Sequence, residues 1–414
     1  MNNENKRVCE DFGICGGCEY QDIPYERELA LKEGSVLALL EDAGITGFGY
    51  LGIESGSAQG YRNKMEFSFG DGGKGSELML GIRKRASFYE VVPPVNCNIV
   101  CSDFRKIAAA TQAFFRRAGE RFYHKRAKLG ALRHLVVRRA HFTGEVLVNL
   151  VTTSAIAADT LAFAAELCRL ALDGKIVGIL HTINDSVADA VKCDKLDILY
   201  GQDFFTERLL GLTFKISAFS FFQTNSEGAE RLYSIVREFA GDLDNKSALD
   251  LYCGTGTIAQ VLASGAATSK IYREAKTFAS AITQHRHMFS AFGITGIELV
   301  EEAVESARAN AALNGLNCEF IPGDVQQLIE GIGYRPDVIV LDPPREGVHP
   351  KALPKILSLR AERIIYVSCK PLSLARDLPI FVESGYHVNK LVIYDMFPRT
   401  AHVETVVLLQ RHDT

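Results

Sequence analysis

Nowhere in this 414-residue chain does an apolar run approach the roughly 18 residues that a membrane-spanning helix needs. The opening Met1-Asn-Asn-Glu-Asn-Lys-Arg7 lacks the apolar core of a secretory signal. These absences predict a protein with no membrane partner and with the cytoplasm as its default compartment. A strong net charge is missing too. Lys and Arg total 46 against 50 Asp and Glu, a formal −4, so the chain as a whole has no attraction for nucleic acid and any basic footprint must be local. A 47% hydrophobic and 23% charged composition excludes fibres and disordered tails, and the length allows two or three domains with substantial cores. Ten cysteines in a reducing compartment do not make a disulfide framework. Clustered ones therefore read as metal ligands or catalysts.

Three of them open the chain. Cys9, Cys15 and Cys18 stand in C-x5-C-x2-C spacing, with Gly16 and Gly17 permitting the tight turn that brings thiolates onto one centre. A fourth ligand is needed, and Cys97, after Pro93-Pro-Val-Asn96, is the first candidate, with Cys101 as the fallback. Four thiolates suit zinc or a cubane iron-sulfur cluster, and spacing alone does not choose between them. The plain alternative is a set of structural cysteines with no ligand.

The amino-terminal half reads as α+β. An amphipathic helix is predicted over 24–44, followed by alternating strands at Met65–Gly70, Leu78–Arg83 and Phe88–Val92. A helix near Phe104–Phe122 precedes strands at Leu135–Ala140 and Glu145–Val151. Basic residues crowd this half: Arg62 and Lys64, then Arg83, Lys84 and Arg85, then a dense set from Arg116 to Arg139. With Phe88, Tyr89, Tyr123 and His124 interleaved, they form either a surface that tracks phosphates and stacks bases or an ordinary solvated face.

Near Gly211–Ser217 the pattern changes to alternating helices and buried strands, which divides the chain into domains 1–215 and 216–414, with helix 24–44 a candidate to pack on the second. Ser247–Ile258 gives a strand, a Gly-x-Gly turn and a helix start, a weak signal alone. The following strand sharpens it by ending on Glu298, where a carboxylate can accept both ribose hydroxyls of a nucleoside cofactor. Two more strands end on acids, Asp324 and Asp342, the latter stiffened by two prolines before Arg345. Residues 264–292, an insertion too long for a helix-to-strand connection, have no assigned role. The run Arg363-Ile-Ile-Tyr-Val-Ser-Cys369 reads as a buried parallel strand, which sets its thiol at the lip of a crevice as a nucleophile or, more blandly, as a buried structural cysteine. The last strand carries a lone acid, Glu404.

Leu249-Asp-Leu-Tyr-Cys-Gly-Thr-Gly256, Asp342-Pro-Pro-Arg345, Ser368-Cys-Lys-Pro371 with Leu374-Ala-Arg-Asp377, and Phe397-Pro-Arg-Thr-Ala-His-Val-Glu404 together resemble the S-adenosylmethionine-dependent RNA (uracil-5-)-methyltransferases. The resemblance covers nearly the whole chain and is nearest to members acting on 23S ribosomal RNA, here without the amino-terminal OB-type domain many members carry. It implies a Rossmann-like class I methyltransferase domain behind an RNA-binding α+β domain. It makes Cys9, Cys15, Cys18 and Cys97 the ligands of a [4Fe-4S] cluster, Cys369 the nucleophile and Glu404 the base. Gln223, Tyr252, Thr257, Glu298, Asp324 and Asp342 fall on positions lining the methyl-donor site, with Asp342 and Gln223 placing base and donor. Two departures stand out: Lys370 where the family more often has Asn, and the insertion before Glu298.

The chemistry this implies is covalent. Carbon 5 of uracil is too weak a nucleophile for a methyl sulfonium until a thiolate adds at C6, and a carboxylate must then remove the C5 proton. The target is an unpaired or flipped uridine, since a stacked base hides C5. Competing readings are a transfer-RNA uracil-5-methyltransferase, a 5-methylcytosine enzyme acting on RNA or DNA, and a non-catalytic iron-sulfur RNA-binding protein. The chain has no evident apolar outer face, which predicts a monomer.

Overall fold

Period-2 alternation and β-branched runs sort the chain into two sheets in the computed structural model, which describes residues 9–73, 75–186, 193–265 and 293–411. The insertion inferred at 264–292 lies outside the described residues except for its first two positions. Among the described residues no helix is long and apolar enough to cross a membrane.

The first part of the chain runs α1 (Tyr25–Asp42), β1 (Gly49–Ser55), β2 (Lys64–Gly70), β3 (Met79–Arg83), β4 (Val91–Val92), α2 (Ser102–Arg117), β5 (Leu132–Arg139), β6 (Glu145–Thr152), α3 (Thr160–Leu167), β7 (Lys175–Ile183) and β8 (Lys195–Gly201). Strands β2 to β8 make one sheet in the order β4-β3-β2-β5-β6-β7-β8. One of its faces is covered by α2 and α3, which bury Phe104, Phe115 and Phe163 against Phe67, Leu135 and Val137. The other face has Lys64, Glu66 and Ser68 on β2 beside Arg138, Val136 and His134 on β5, the last three buried, while Leu147 and Leu180 pack there against Phe205 and Phe214. Two sequence-based boundaries shorten. The strand expected over Phe88–Val92 is ordered as a ladder only at Val91–Val92, and α2 stops at Arg117 because Gly119 turns the chain at φ +69°.

A hairpin of β9 (Phe204–Leu209) and β10 (Leu212–Ser217) leads into the second part. This continues α4 (Ser226–Ala240), β11 (Ser247–Leu251), α5 (Thr257–Gly265), β12 (Gly293–Glu298), α6 (Glu301–Leu313), β13 (Cys318–Pro322), α7 (Val325–Leu328), β14 (Val338–Leu341), α8 (Leu353–Ser358), β15 (Arg363–Ser368), α9 (Pro371–Glu383), β16 (Tyr386–Asp395) and β17 (Glu404–Arg411). The sheet order is β1-β16-β17-β15-β14-β11-β12-β13. Strands β13, β12, β11, β14 and β15 are mutually parallel, and β17 returns antiparallel between β15 and β16. Every residue of β11 and β14 is buried, as expected of parallel strands covered on both faces.

The sheet order ties the amino-terminal segment to the second part of the chain, as anticipated for helix 24–44. Strand β1 pairs in parallel with β16, so this amino-terminal segment completes the edge of the second sheet. Helix α1 follows it there, burying Val36 and Leu40 with Leu378 and Phe381 of α9.

Candidate active site and cysteine pocket

Strand β11 has β12 on one side and β14 on the other, so successive connections leave it in opposite directions. Such a switch point opens a crevice at the carboxyl ends of the strands. Register places the sequence-derived residues on this one edge. Leu251 pairs with both Ile297 and Leu341, so Tyr252, Glu298 and Asp342 follow in adjacent rows. Glu298 pairs with Pro322, two residues before Asp324. The turn after β11 needs unusual backbone: Tyr252 at φ +67°, Gly254 at +53° and Gly256 at +71°. A Cβ on Gly256 would stand 2.4 Å from the Phe320 ring, which only glycine avoids.

Within this loop the Gly254 N–H donates to Glu298 Oε2 at 3.0 Å, and the Val300 N–H donates to Oε1 at 2.9 Å. Glu298 is thereby held in one orientation at the mouth of the loop. Asp324 caps α7 by accepting the Gln326 N–H at 2.8 Å. Thr257 begins α5, its hydroxyl 3.4 Å from that of Thr255. Gln223 is buried, and its carbonyl accepts the Asn63 side-chain amide at 2.9 Å, a direct tie between the two sheets.

Cys369 and Glu404 are brought together by β17. Ser368 pairs with Thr405, so Cys369, one residue beyond the tip of β15, lies by Glu404 at the start of β17. Asp342, at the end of the neighbouring β14, completes the group. Cys369 is partly buried and Glu404 buried. Burial raises the Cys369 thiol to about 11, with the Glu404 and Asp342 carboxylates adding to the rise and Arg345 opposing it. Desolvation holds Asp342 up at about 7, well into the range where it takes up a proton. It drives Glu404 well above the usual carboxylate range, with Asp342 adding to the shift and Arg345 again opposing it. Thus one thiol and two carboxyls share a low-dielectric site, with Arg345 as the cation that favours the ionised forms of Cys369 and Glu404.

Three residues that the sequence reading left without a role belong to this group. Arg345 sits 3.5 Å from His402 through Nη2 and Nε2, and desolvation followed by the Arg345 charge depresses the His402 pKa. Both were visible in the quoted motifs, but only the fold sets them side by side. Asp250, buried within β11, accepts the Ala259 N–H at 2.9 Å and is pushed up to about 8 by burial and then by Asp342.

The four predicted cysteine ligands also converge. Cys9, Cys15, Cys18 and Cys97 line one pocket with about 420 Å³ of open space, walled by Ile82, Val92 and Pro93. Cys101 does not line it; it precedes α2 and packs with the first core. Burial pushes Cys97 up to about 12, reinforced by the charges of Cys18, Cys15 and Cys9, and burial likewise raises Cys15 and Cys18. Among the described residues no group of three or more His, Cys, Asp or Glu is set to hold a metal ion. The cysteine segment is anchored to β3, where the Gly16 N–H donates to the Arg83 carbonyl at 3.0 Å.

It is anchored to the site as well. The Glu19 and Tyr20 N–H groups donate to the Arg399 carbonyl at 2.7 and 3.2 Å, in the loop between β16 and β17. Arg399 returns its N–H to Glu28 Oε1 at 2.6 Å and its guanidinium to the Tyr20 and Ile23 carbonyls, each at 3.0 Å. Lys32 joins Glu28 at 2.7 Å to Asp395 at 2.8 Å, all three buried.

The profile of the family described as tRNA (uracil-5-)-methyltransferase matches residues 187–412. An uncharacterized RNA methyltransferase of Clostridium tetani is 50% identical over 408 residues, spanning 98% of this chain and 84% of that one. Another from Caldanaerobacter subterraneus is 50% identical over 411 residues, spanning 99% and 85%. The crystal structure of Pyrococcus abyssi tRNA (uracil-54, C5)-methyltransferase in complex with S-adenosyl-L-homocysteine superposes with a TM-score of 0.73 at 25% identity, covering 96% of this chain and 86% of that one. The chain belongs to the tRNA (uracil-5-)-methyltransferase family of S-adenosylmethionine-dependent RNA methyltransferases.

Proposed function

We propose that this enzyme methylates carbon 5 of an unpaired or flipped uridine through a covalent adduct on Cys369, and that its substrate is 23S ribosomal RNA. The observation that carries the mechanism is the meeting of Cys369 and Glu404 through the β15–β17 register. The Cys369 thiolate adds to C6, and the electrons of the C5–C6 double bond pass toward C5 and O4. C5 then takes the methyl group from the sulfonium, whose carbon–sulfur pair returns to sulfur. Glu404 removes the C5 proton, the double bond re-forms, and the thiolate leaves. A carboxyl with a raised pKa is a stronger base once ionised, which suits Glu404 for that step.

Gln223, Tyr252, Thr257, Glu298, Asp324 and Asp342 are assigned to the methyl-donor site. Their edge of the sheet gathers Asp250, Glu298, Asp342 and Glu404, and a sulfonium cation seated there would favour the ionised forms of these carboxyls and so be held more tightly than its neutral product. The basic amino-terminal surface that includes Lys64 is assigned to the RNA backbone, with Arg138 behind it as a structural cation. Arg138 is buried enough for its pKa to fall to about 10, and it donates to the Ser220 carbonyl at 2.6 Å beside the crevice.

The cysteine pocket is assigned to a [4Fe-4S] cluster. Four thiols spread around an apolar cavity fit a polynuclear centre better than one ion, and as thiolate ligands they would be compensated by the charge of iron. The cluster would brace the segment that grips Arg399. Purified anaerobically, the protein should carry iron and acid-labile sulfide in equal amounts, and Cys15→Ser with Cys97→Ser should lose both.

A second substrate reading, transfer RNA, is favoured by the Pyrococcus neighbour, whose name specifies a tRNA uracil. Mapping 5-methyluridine in ribosomal and transfer RNA from cells with and without the protein separates the two. Loss of a ribosomal mark supports the first reading, loss of a transfer-RNA mark the second, and loss of neither ends both.

A further inference from the structure

A second concavity lies on the sheet β4-β3-β2-β5-β6-β7-β8, away from the methyl-transfer crevice. It is about 410 Å³ in open volume, lies over Phe69, Leu132 and His134, and is walled by Phe88, Tyr89 and Tyr123 with Arg83, Lys125 and Arg133. Aromatic planes and cations alternate around it. Tyr89 stacks on His124 with ring centroids 4.3 Å apart and 20° between planes. The Arg133 guanidinium lies 4.8 Å from the centre of the Tyr123 ring and is fixed from behind by the Asn184 and Ser186 carbonyls at 2.9 and 2.7 Å. Phe88, by contrast, is 79% exposed, the most solvent-accessible large apolar side chain among the described residues. Its ring forms one side of the concavity without being covered by the protein.

The place of this concavity in the fold matters. Asn63, just before β2, binds the Gln223 and Thr224 carbonyls at the crevice, and Lys64 pairs with Arg138. Ser68 pairs with His134 four residues further along the same two strands, about 13 Å away at 3.3 Å per residue. A single strand leaving the crevice along this edge would pass Lys64 and the exposed Glu66, with Arg138 buried beneath them, and arrive at the ring of Phe88.

We propose that this concavity is a second nucleobase site, which takes an unpaired base of the RNA substrate against Phe88 while Arg83 and Lys125 meet the adjoining phosphate. The inference rests on RNA being the substrate and extends that reading to a residue-level anchor remote from the methyl transfer. Exposed aromatic rings interleaved with cations are how sequence-tolerant single-strand sites work, because every base has a face to stack and every linkage a charge to neutralise. Aromatic preorganisation by His124 and Tyr123 keeps the walls apart and ready.

The test uses the full chain and a short fluorescein-labelled, mixed-sequence single-stranded RNA, with its duplex form as control. Phe88→Ala should weaken single-strand binding about tenfold with little change in salt dependence, whereas Lys125→Ala should lower the salt slope by about one. Both variants should keep the wild-type melting temperature and S-adenosylmethionine affinity. With substrate RNA, Phe88→Ala should raise KM and leave kcat unchanged. Wild-type affinity for the single strand in both variants, or equal losses for single strand and duplex, overturns the proposal. The two readings fail separately. A wild-type protein that makes no 5-methyluridine while Phe88→Ala still loses affinity sinks uracil methylation and spares the pocket. Normal 5-methyluridine formation at unchanged KM in Phe88→Ala does the reverse.

Discussion

Ser368 and Thr405 face one another across the antiparallel pair of β15 and β17, and that single register sets the thiol of Cys369 beside the carboxyl of Glu404. Removing either group should stop the reaction at a different point. Cys369→Ala should show no methyl transfer. Glu404→Gln should lower turnover by about 10²- to 10⁴-fold and accumulate a protein–RNA adduct that survives a denaturing gel. Normal methylation of RNA by Cys369→Ala would end the covalent scheme.

The pH profile should be lopsided. Burial raises Cys369 to about 11, so adduct formation in a single turnover should keep climbing well into the alkaline range. The Asp342 charge is one of the groups holding the thiol pKa up, and Asp342→Asn should shift the alkaline limb of that profile to lower pH. A limb that stays put would mean the two groups do not interact.

Stability should carry the signature of a buried acid. Asp250 ionises near 3.8 when unfolded and at about 8 when folded, so between those values the unfolded chain binds fewer protons and the native state loses stability as pH rises. Asn at this position can still accept the Ala259 N–H and has no charge to bury. Asp250→Asn should match the wild type at acid pH and exceed it by on the order of 1–3 kcal/mol above pH ~8, as read from urea unfolding. Equal curves at both pH values would place the carboxyl in a far wetter environment.

The cysteine segment and the active-site loop meet through an ionic knot. Glu28 and Lys32 are buried, and Arg399 and Asp395 close the network. Arg399→Ala removes one cation from a buried carboxylate and should cost about 3–5 kcal/mol of stability. A cost under about 1 kcal/mol would mean that Lys32 alone suffices.

Much of this was legible in the sequence because it depends on local rules. Buried β-branched runs ending in Glu298, Asp342 and Cys369 became neighbouring strands of one parallel sheet, and the turn glycines Gly254 and Gly256 fell where positive φ is required. The four cysteines were legible as a group because two loops rich in glycine or proline can fold onto one pocket. What could not be read was partnership at long range. Strand β1, Gly-Tyr-Leu-Gly-Ile-Glu-Ser, alternates too weakly to declare itself, and its place beside β16 depends on α1 packing against α9. The shortness of β4 has a similar origin. A Cβ at Gly70 or Gly81 would stand 2.0 Å from the Tyr89 or Val92 carbonyl oxygen, so the backbone crosses at close quarters there instead of extending a ladder. The Arg345–His402 contact joins side chains 57 positions apart and has no sequence signal beyond the two motifs.

Strand β17 lies inside the sheet, between β15 and β16, although it follows both in sequence. On the ribosome the thiol of Cys369 is therefore made, and its strand folded against β14, before the residue meant to face it has been translated. Until that late segment slides into its slot the nascent protein has a half-built sheet with an open seam.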